Sequence, residues 1–529
     1  MRVTDPNSSD ENRDMRRQRT IYFNDARHYY LFVFEPPMTM EDAWRPIDEV
    51  AGTGVDTFVY GVSRVDGLYY PSKASTQFKH GEHGPDSPAF KQNAYWRTWH
   101  NMKSLEERGL DPLRVLIDRA HDKGMEFFAS LRLSSYPTID PAHEVKSGGR
   151  GWVHREVRDF QREVLRELAV DYLTEGVELD FAAAPGGSPP HFRDEDDARE
   201  YTPAVTEWVA EVADIVRGCP GAPGEVGARV YPTEDLNLRQ GFDVRQWLKD
   251  GSVDWVAPLL YAHNQIDPHV DLSWLIEAAH DADVSVYATI QPHHFDPGRE
   301  NFVTEYATPA MRRAAVASFR EQGADGMYTW FLPWPFGDAE RRVLSEMADP
   351  DLIVEADKHY VVSRRSDFSE RAGLATQLPV TIVASDTATR HPFRLFCADD
   401  LEGKADRIKQ VRLKVYIGDI VSQDKIRLLL NGDSLENETC LRHFPKGLPP
   451  YHGQWLDFDL RQVRPKKGWN TLEIVLDGRP ADLISPLVVQ DIELIVEYGP
   501  YPSKFGSHAH IGRLNETQTL WTEVTHREV

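Results

Sequence analysis

Apolar and polar positions follow two different rhythms along this chain. From Tyr22 to about Arg342, short apolar runs alternate with segments whose apolar residues recur every three or four positions. That alternation predicts strand followed by helix. The runs "YYLFVFEPP" (Tyr29–Pro37), "VDTFVYGV" (Val55–Val62), "MEFFASLRLS" (Met125–Ser134) and "GVELDF" (Gly176–Phe181) predict the first four strands. "GARVYPT" (Gly227–Thr233), "VDWVAPLLYAH" (Val253–His263), "DVSVYATIQPHH" (Asp283–His294) and "GMYTWFLPW" (Gly326–Trp334) predict four more. Among the helices, "DPLRVLIDRAHDKG" opens with Asp111 as N-cap and Pro112 at the first helical position, and stops on Gly124. "HREVRDFQREVLRELAVDYLTEG" places Val157, Phe160, Val164, Leu168 and Tyr172 on one face.

Eight such units in roughly 320 residues match a (β/α)8 TIM barrel, assigned to 21–355. An open doubly wound sheet is the alternative, but no glycine-rich phosphate loop follows the first strand. From about Tyr360 the period changes to two. "IKQVRLKVYIG" sets Val411, Leu413, Val415 and Ile417 against Lys409, Arg412, Lys414 and Tyr416, so the second set reads as a solvated face. Four further alternating runs follow, each bounded by Gly, Asn, Asp or Pro. This region, 356–505, reads as an all-β sandwich, jelly-roll-like, accessory to the barrel. "RRSDFSER" near Arg364 reads as a solvated linker, and 1–20 and 506–529 as polar tails.

Charge and cysteine content narrow the class. The net charge of −24 argues against nucleic-acid or anionic-membrane partners, which need a basic surface. Three scattered cysteines imply neither a zinc motif nor a disulfide framework, and no cofactor or metal is expected. The first twenty residues carry no apolar signal core, so the expected location is cytoplasmic, or exported if a leader has been trimmed. A homo-oligomer stays open.

The chemistry is expected at the C-terminal ends of the strands, where barrel active sites lie. Glu178 and Asp180 are two residues apart in "GVELDF" and therefore share a face. Their ordinary alternative is a salt bridge to a barrel arginine, with Arg132 the nearest choice. Glu234 and Asp235 after the fifth strand, and Glu35 at the end of the first, are alternative acids. Tyr60, Arg132, Tyr261, Asn264, Gln291, His293 and Trp330 are candidate substrate contacts, because rings and hydrogen-bonding groups together suit a sugar. A pair of carboxylates is what glycoside cleavage needs: one protonates the leaving oxygen, the other supplies or activates the nucleophile. His293, His294 and Asp296 form a weaker, metal-binding alternative.

"EVAGTGVDTFVYGVSRVDGLYYPSKA", "GLDPLRVLIDRAHDKGMEFFASLRLS", "EGVELDF" and "GFDVRQWLKDGSVDWVAPLLYAH" together resemble the family-10-like glycosyl hydrolases. The resemblance covers most of 21–337. It implies a (β/α)8 barrel, carbohydrate as partner, and hydrolysis of glycosidic bonds in an oligo- or polysaccharide. On that reading Glu178 is the preferred general acid and Asp180 the nucleophile, base or transition-state stabiliser. The chain departs from the family pattern after the fourth strand, where Ala182, Ala183 and Ala184 replace a basic residue. This departure favours the rival reading of a non-catalytic carbohydrate-binding barrel.

Overall fold

The computed structural model describes residues 18–25, 30–64, 67–75, 77–78, 90–133, 138–145, 150–172, 174–182, 190–219, 224–295, 304–384, 388–445, 448 and 452–499. Eight parallel strands close into a barrel: β1 (Thr20–Asp25), β2 (Thr57–Gly61), β3 (Glu126–Arg132), β4 (Gly176–Asp180), β5 (Glu225–Val230), β6 (Trp255–Pro258), β7 (Ser285–Ile290) and β8 (Gly326–Thr329). Closure is made by β1, which pairs with both β2 and β8. Helices α1 (Met40–Asp48), α2 (Phe90–Glu106), α3 (Pro112–Asp122), α4 (Arg155–Val170), α5 (Glu195–Arg217), α6 (Glu234–Arg239), α7 (Val244–Lys249), α8 (Ser273–Asp281), α9 (Pro309–Gln322) and α10 (Asp338–Ala348) intervene. Asp111 caps α3 as its sequence predicts, accepting from the backbone of Leu113 and Arg114.

The first strand lies earlier than expected. "TIYFND" makes it, and the run from Tyr30 to Pro37 forms turns instead. Tertiary contacts outweigh the β-propensity of that run. Tyr30 packs edge-on to Tyr60, and the Asn101 side-chain amide donates to the carbonyls of Leu31 and Phe34. Those carbonyls are satisfied by a side chain, so no ladder is needed. Glu35 consequently does not end a strand.

The C-terminal region is a sandwich of two antiparallel sheets. One holds β9 (Lys358–Val361), β12 (Ile408–Gly418), β15 (Thr439–His443), β16 (Gln454–Asp459) and β18 (Leu487–Tyr498), with β10 (Val380–Ile382) on the flank of β18. The other is β11 (Arg390–Cys397), β17 (Gly468–Gly478), β13 (Lys425–Leu430) and β14 (Asp433–Ser434). Its core is distinct from that of the barrel, and Ala314 of α9 belongs to it. Val411, Leu413, Val415 and Ile417 point into this core as expected. The opposite face of β12 is not simply solvated. Tyr416 is buried beside Trp455, while Arg412 and Lys414 pair with Asp457 and Glu493.

The segment joining the halves is folded rather than a free linker. Ser366 caps a short helix, α11 (Asp367–Ala372), and residues just before it bind the barrel rim. Asp267 accepts from both the backbone and the hydroxyl of Ser363. The Gln265 amide exchanges two hydrogen bonds with the Arg364 backbone, and His263 meets the Ser366 hydroxyl at 2.9 Å. Among the described residues, no helix is long and apolar enough to cross a membrane.

Candidate active site

Strand register lifts the acids of β4 to the C-terminal mouth. Gly176 opens the strand where a Cβ would fall 2.0 Å from the Glu225 carbonyl oxygen, so only glycine admits this close approach. Two residues on, Glu178 aligns with Ser130 of β3 and Gly227 of β5. Two further on, Asp180 aligns with Arg132 and Arg229. Neighbours in a parallel register face the same way, so both arginines share the barrel interior with both acids. Gly227 is a glycine because the Trp255 ring fills the space its Cβ would occupy.

These side chains join in one line of alternating charge. Arg64 meets Asp25 at 3.0 Å, and Asp25 lies 3.7 Å from Arg132. Arg132 meets Asp180 at 3.3 Å, and Asp180 lies 3.5 Å from Arg229. Arg229 ends the line at Glu178, 2.8 Å away. Three cations thus match three anions. Only Arg64 retains appreciable contact with solvent, at 13 %. A neutral chain of this kind limits the cost of burying each charge.

Glu178 occupies the deepest position. The hydroxyls of Ser130 and Tyr328 reach it as well as Arg229. Burial raises its pKa above the ordinary carboxylate value, against the pull of Arg229, and the charge of Asp180 adds to the rise. Asp180 stands one step nearer the mouth. Its Oδ1 has no hydrogen-bond partner among the described residues, although the side chain is buried. The same is true of Arg229 Nη2 and of the indole Nε1 of Trp330.

Aromatic rings roof the charges. Trp330 lies 4.7 Å from Tyr261, and Tyr261 covers the Arg132 guanidinium at 4.6 Å. Phe23 lies against the Arg229 guanidinium at 3.8 Å. Beside the mouth, His191 Nε2 meets the Leu133 carbonyl, and burial lowers its pKa to about 4.

The expected site residues therefore divide. Glu178, Asp180, Arg132, Tyr261 and Trp330 come together inside the mouth. Arg132 is a partner of Asp180, as the salt-bridge alternative anticipates, while Glu178 pairs with Arg229 instead. Asn264 and His293 line an open cleft of about 580 Å³ with His263, Phe295 and Phe368. Burial lowers the His293 pKa to about 4. Gln291 lines a separate cavity of about 200 Å³ at the junction with the sandwich. Neither space is lined by Glu178 or Asp180.

Tyr60 does not face the mouth. It aligns with Asn24 and Ala129, on the outward side of β2, and packs against Tyr30 and Phe127. Glu234 is held in a two-pronged pair with Arg245 at the start of α6, which lowers its pKa. Asp235 is an exposed partner of Arg239, and Glu35 an exposed partner of Arg97. None of these three acids joins the interior chain. Adjacent positions on the short strand His293–Phe295 send His293 and His294 to opposite faces. Asp296, Ala183 and Ala184 lie outside the described residues, as do 1–17 of the N-terminal tail, the last residues of the sandwich region, 500–505, and the whole C-terminal tail, 506–529.

Sequence reasoning misses Asp25, Arg229 and Tyr328. For Arg229 a signal exists: an arginine in the apolar run "GARVYPT", spaced from Gly227 as Asp180 is from Glu178.

No family profile matches the chain, and no curated protein matches it in sequence. Solved structures do resemble it. An α-L-fucosidase from Bacteroides thetaiotaomicron is 11 % identical, covering 92 % of this chain and 97 % of its own, at a TM-score of 0.36. A Paenibacillus sp. cycloisomaltooligosaccharide glucanotransferase is 10 % identical over 90 % of this chain, at 0.32. The chain spans 57 % of that enzyme's length. Isoenzyme 2 of α-L-fucosidase from Paenibacillus thiaminolyticus is 12 % identical over 69 % of this chain and 51 % of its own, at 0.38. Likeness at this level carries nothing about the activity of this chain.

Proposed function

We propose that this chain is a glycoside hydrolase whose reaction takes place at the charged mouth of the barrel. One observation carries the reading. Asp180 Oδ1, Arg229 Nη2 and Trp330 Nε1 are buried polar atoms without partners among the described residues; the first two belong to one ion pair at the strand ends, and the third to the ring that packs on Tyr261. Buried polar groups are otherwise almost always paired, so such a cluster needs a ligand or water to complete it. One acceptor, two donors and an aromatic roof suit a sugar with its hydroxyls and apolar ring face.

Asp180 is then the carboxylate that meets the substrate. Its step toward the mouth favours it over Glu178, which lies deeper against Arg229. Glu178 acts through Arg229, fixing the guanidinium that in turn faces Asp180. Asp25, bound to the same Arg132, supplies the second carboxylate that glycoside cleavage requires. The family-10-like resemblance, which rests on sequence motifs, points to the same strand ends but names Glu178 rather than Asp25 as the partner acid.

A library of glycans incubated with the protein and read by mass spectrometry tests the proposal. Products should form, and Asp180→Asn should lower kcat at least ~100-fold while the fold survives. No product from any glycan, or wild-type turnover in Asp180→Asn, overturns it. A second reading, a carbohydrate-binding barrel without turnover, is favoured by the charge-matched line itself, which leaves each acid already paired. Sugar binding without product formation would select it.

A further inference from the structure

The loop between β3 and α4 carries chemistry that the charged mouth does not use. His143 ends a single helical turn, Pro141–His143, and His154 occupies the N-cap of α4, with Glu156 in its first turn. The two imidazoles lie 4.7 Å apart, inclined at 32°. One ligand atom from each of His143, His154 and Glu156 falls within 4.8 Å of the other two. Among the described residues, this is the one group of three with that geometry.

Two further observations single it out. His143 Nδ1 is shielded from solvent without a hydrogen-bond partner among the described residues. His154 sits at an N-cap yet makes no capping hydrogen bond, so its ring is not engaged in finishing the helix. The backbone meanwhile holds both residues in place. Gly151 N donates to the His143 carbonyl at 2.9 Å, and His154 N donates to Gly151 O at 3.1 Å. An antiparallel bridge between Glu144 and Arg150 closes the loop behind them.

We propose that His143, His154 and Glu156 bind one divalent transition-metal ion of the zinc class. Two imidazoles and a carboxylate favour zinc-like ions over magnesium or calcium, which take oxygen ligands. Ligand atoms of a tetrahedral zinc site lie on the order of 3.4 Å apart, given bonds of about 2.0–2.1 Å. The three groups now lie within 4.8 Å of one another, on side chains that are half-buried or exposed and so have room to close on an ion. Water takes the fourth position. The ion clips the ends of the 143–154 loop together. That loop carries Trp152, whose ring packs on Phe181, His191 and Trp208 beside the end of β4. The clip therefore fastens the aromatic cluster behind the end of β4, and it stands independently of any glycosidase activity.

The full chain, stripped with a chelator and dialysed, is titrated with Zn²⁺ by calorimetry and with Co²⁺ by visible absorption. One ion per chain should bind with Kd below about 10 µM, and Co²⁺ should give the intense bands of a tetrahedral site. His143→Ala/His154→Ala should lose this binding, and Glu156→Gln should weaken it about tenfold or more. His154→Gln alone gives a second, milder variant, and metal-free melting temperatures report that each variant is folded. His121→Ala/His280→Ala, altering surface histidines that already pair with Glu175 and Asp325, should bind as wild type. Absence of binding in the wild type, or stoichiometric binding undiminished in the folded double variant, overturns the proposal.

Discussion

Arg229 is the hinge of the interior charge line, and replacing it with methionine isolates its role. Its guanidinium is buried and touches both Glu178, at 2.8 Å, and Asp180, at 3.5 Å. In Arg229→Met, Asp180 keeps Arg132 at 3.3 Å, but Glu178 loses the cation that the structure gives it. Removing one partner of a buried pair costs about 3–5 kcal/mol, because the other charge stays buried. Methionine fills most of the volume, so cavity formation adds little.

The loss should depend on pH in a defined direction. Burial already raises the folded-state pKa of Glu178. The folded protein therefore binds this proton more tightly than the unfolded chain does. The stability so gained is present below the unfolded value of about 4.3 and fades as pH rises through the folded value. Arg229 is the strongest influence opposing the rise, so its removal moves the folded pKa further up. The deficit of Arg229→Met should accordingly be smaller at pH 5 than at pH 8. Adding Glu178→Gln removes the stranded charge and should recover part of the loss, a non-additivity on the order of 0.5–3 kcal/mol. Urea unfolding followed by tryptophan fluorescence, at both pH values for wild type, both single variants and the double, measures all of this. A change in Arg229→Met below ~0.5 kcal/mol at pH 8, or a deficit larger at pH 5, would refute the reasoning.

Trp330→Ala should destabilise the barrel by about 3–5 kcal/mol, since the ring is 1 % exposed among Phe23, Tyr261 and Phe331; equilibrium unfolding checks it. Tyr60→Phe should be neutral or slightly stabilising and leave any turnover unchanged, because the hydroxyl is buried on the outward side of β2 without a partner among the described residues. A fall in turnover would return Tyr60 to the site. Burial pushes the Glu49 carboxyl up to about 8, although Trp334 donates a hydrogen bond to it. Its contribution to stability is present in acid and lost as pH rises toward 8, so Glu49→Gln should flatten the stability profile between about pH 4.5 and 8. A thermal-melt series across that window tests this, and an unchanged slope would count against the burial of a neutral acid.

The barrel was legible wherever local signals and tertiary packing agreed. Asp111, Pro112 and Gly124 bracket α3 by capping chemistry that acts within a few residues. Seven strands follow the apolar runs that predict them. The first does not, because "TIYFND" ends in polar residues that only the closed barrel buries, while the more apolar run after it is claimed by Asn101 and Tyr60. The site was half legible for the same reason. Glu178 and Asp180 advertise themselves by spacing within one strand. Asp25, Arg132 and Arg229 come from three strands far apart in sequence, and parallel register alone unites them. Glu234 and Asp235 stood as alternative acids, as readily a solvated loop as a site, and geometry assigns them to Arg245 and Arg239 outside the barrel interior.

The clasp between the halves has a bearing on how such a chain can be rebuilt. Ser363, Arg364 and Ser366 complete Asp267, Gln265 and His263, three polar side chains of the loop that follows β6. Phe396 of the sandwich, in turn, donates its backbone N–H to His269 of the same loop. That loop is thus finished by residues about a hundred positions downstream. A foreign sandwich spliced on after α10 would leave it with orphaned polar groups, and the barrel excised alone would carry the same defect next to its cleft. Shuffling these two parts as interchangeable pieces requires the rim loop to travel with the sandwich, which makes the seam, rather than either half, the unit of exchange.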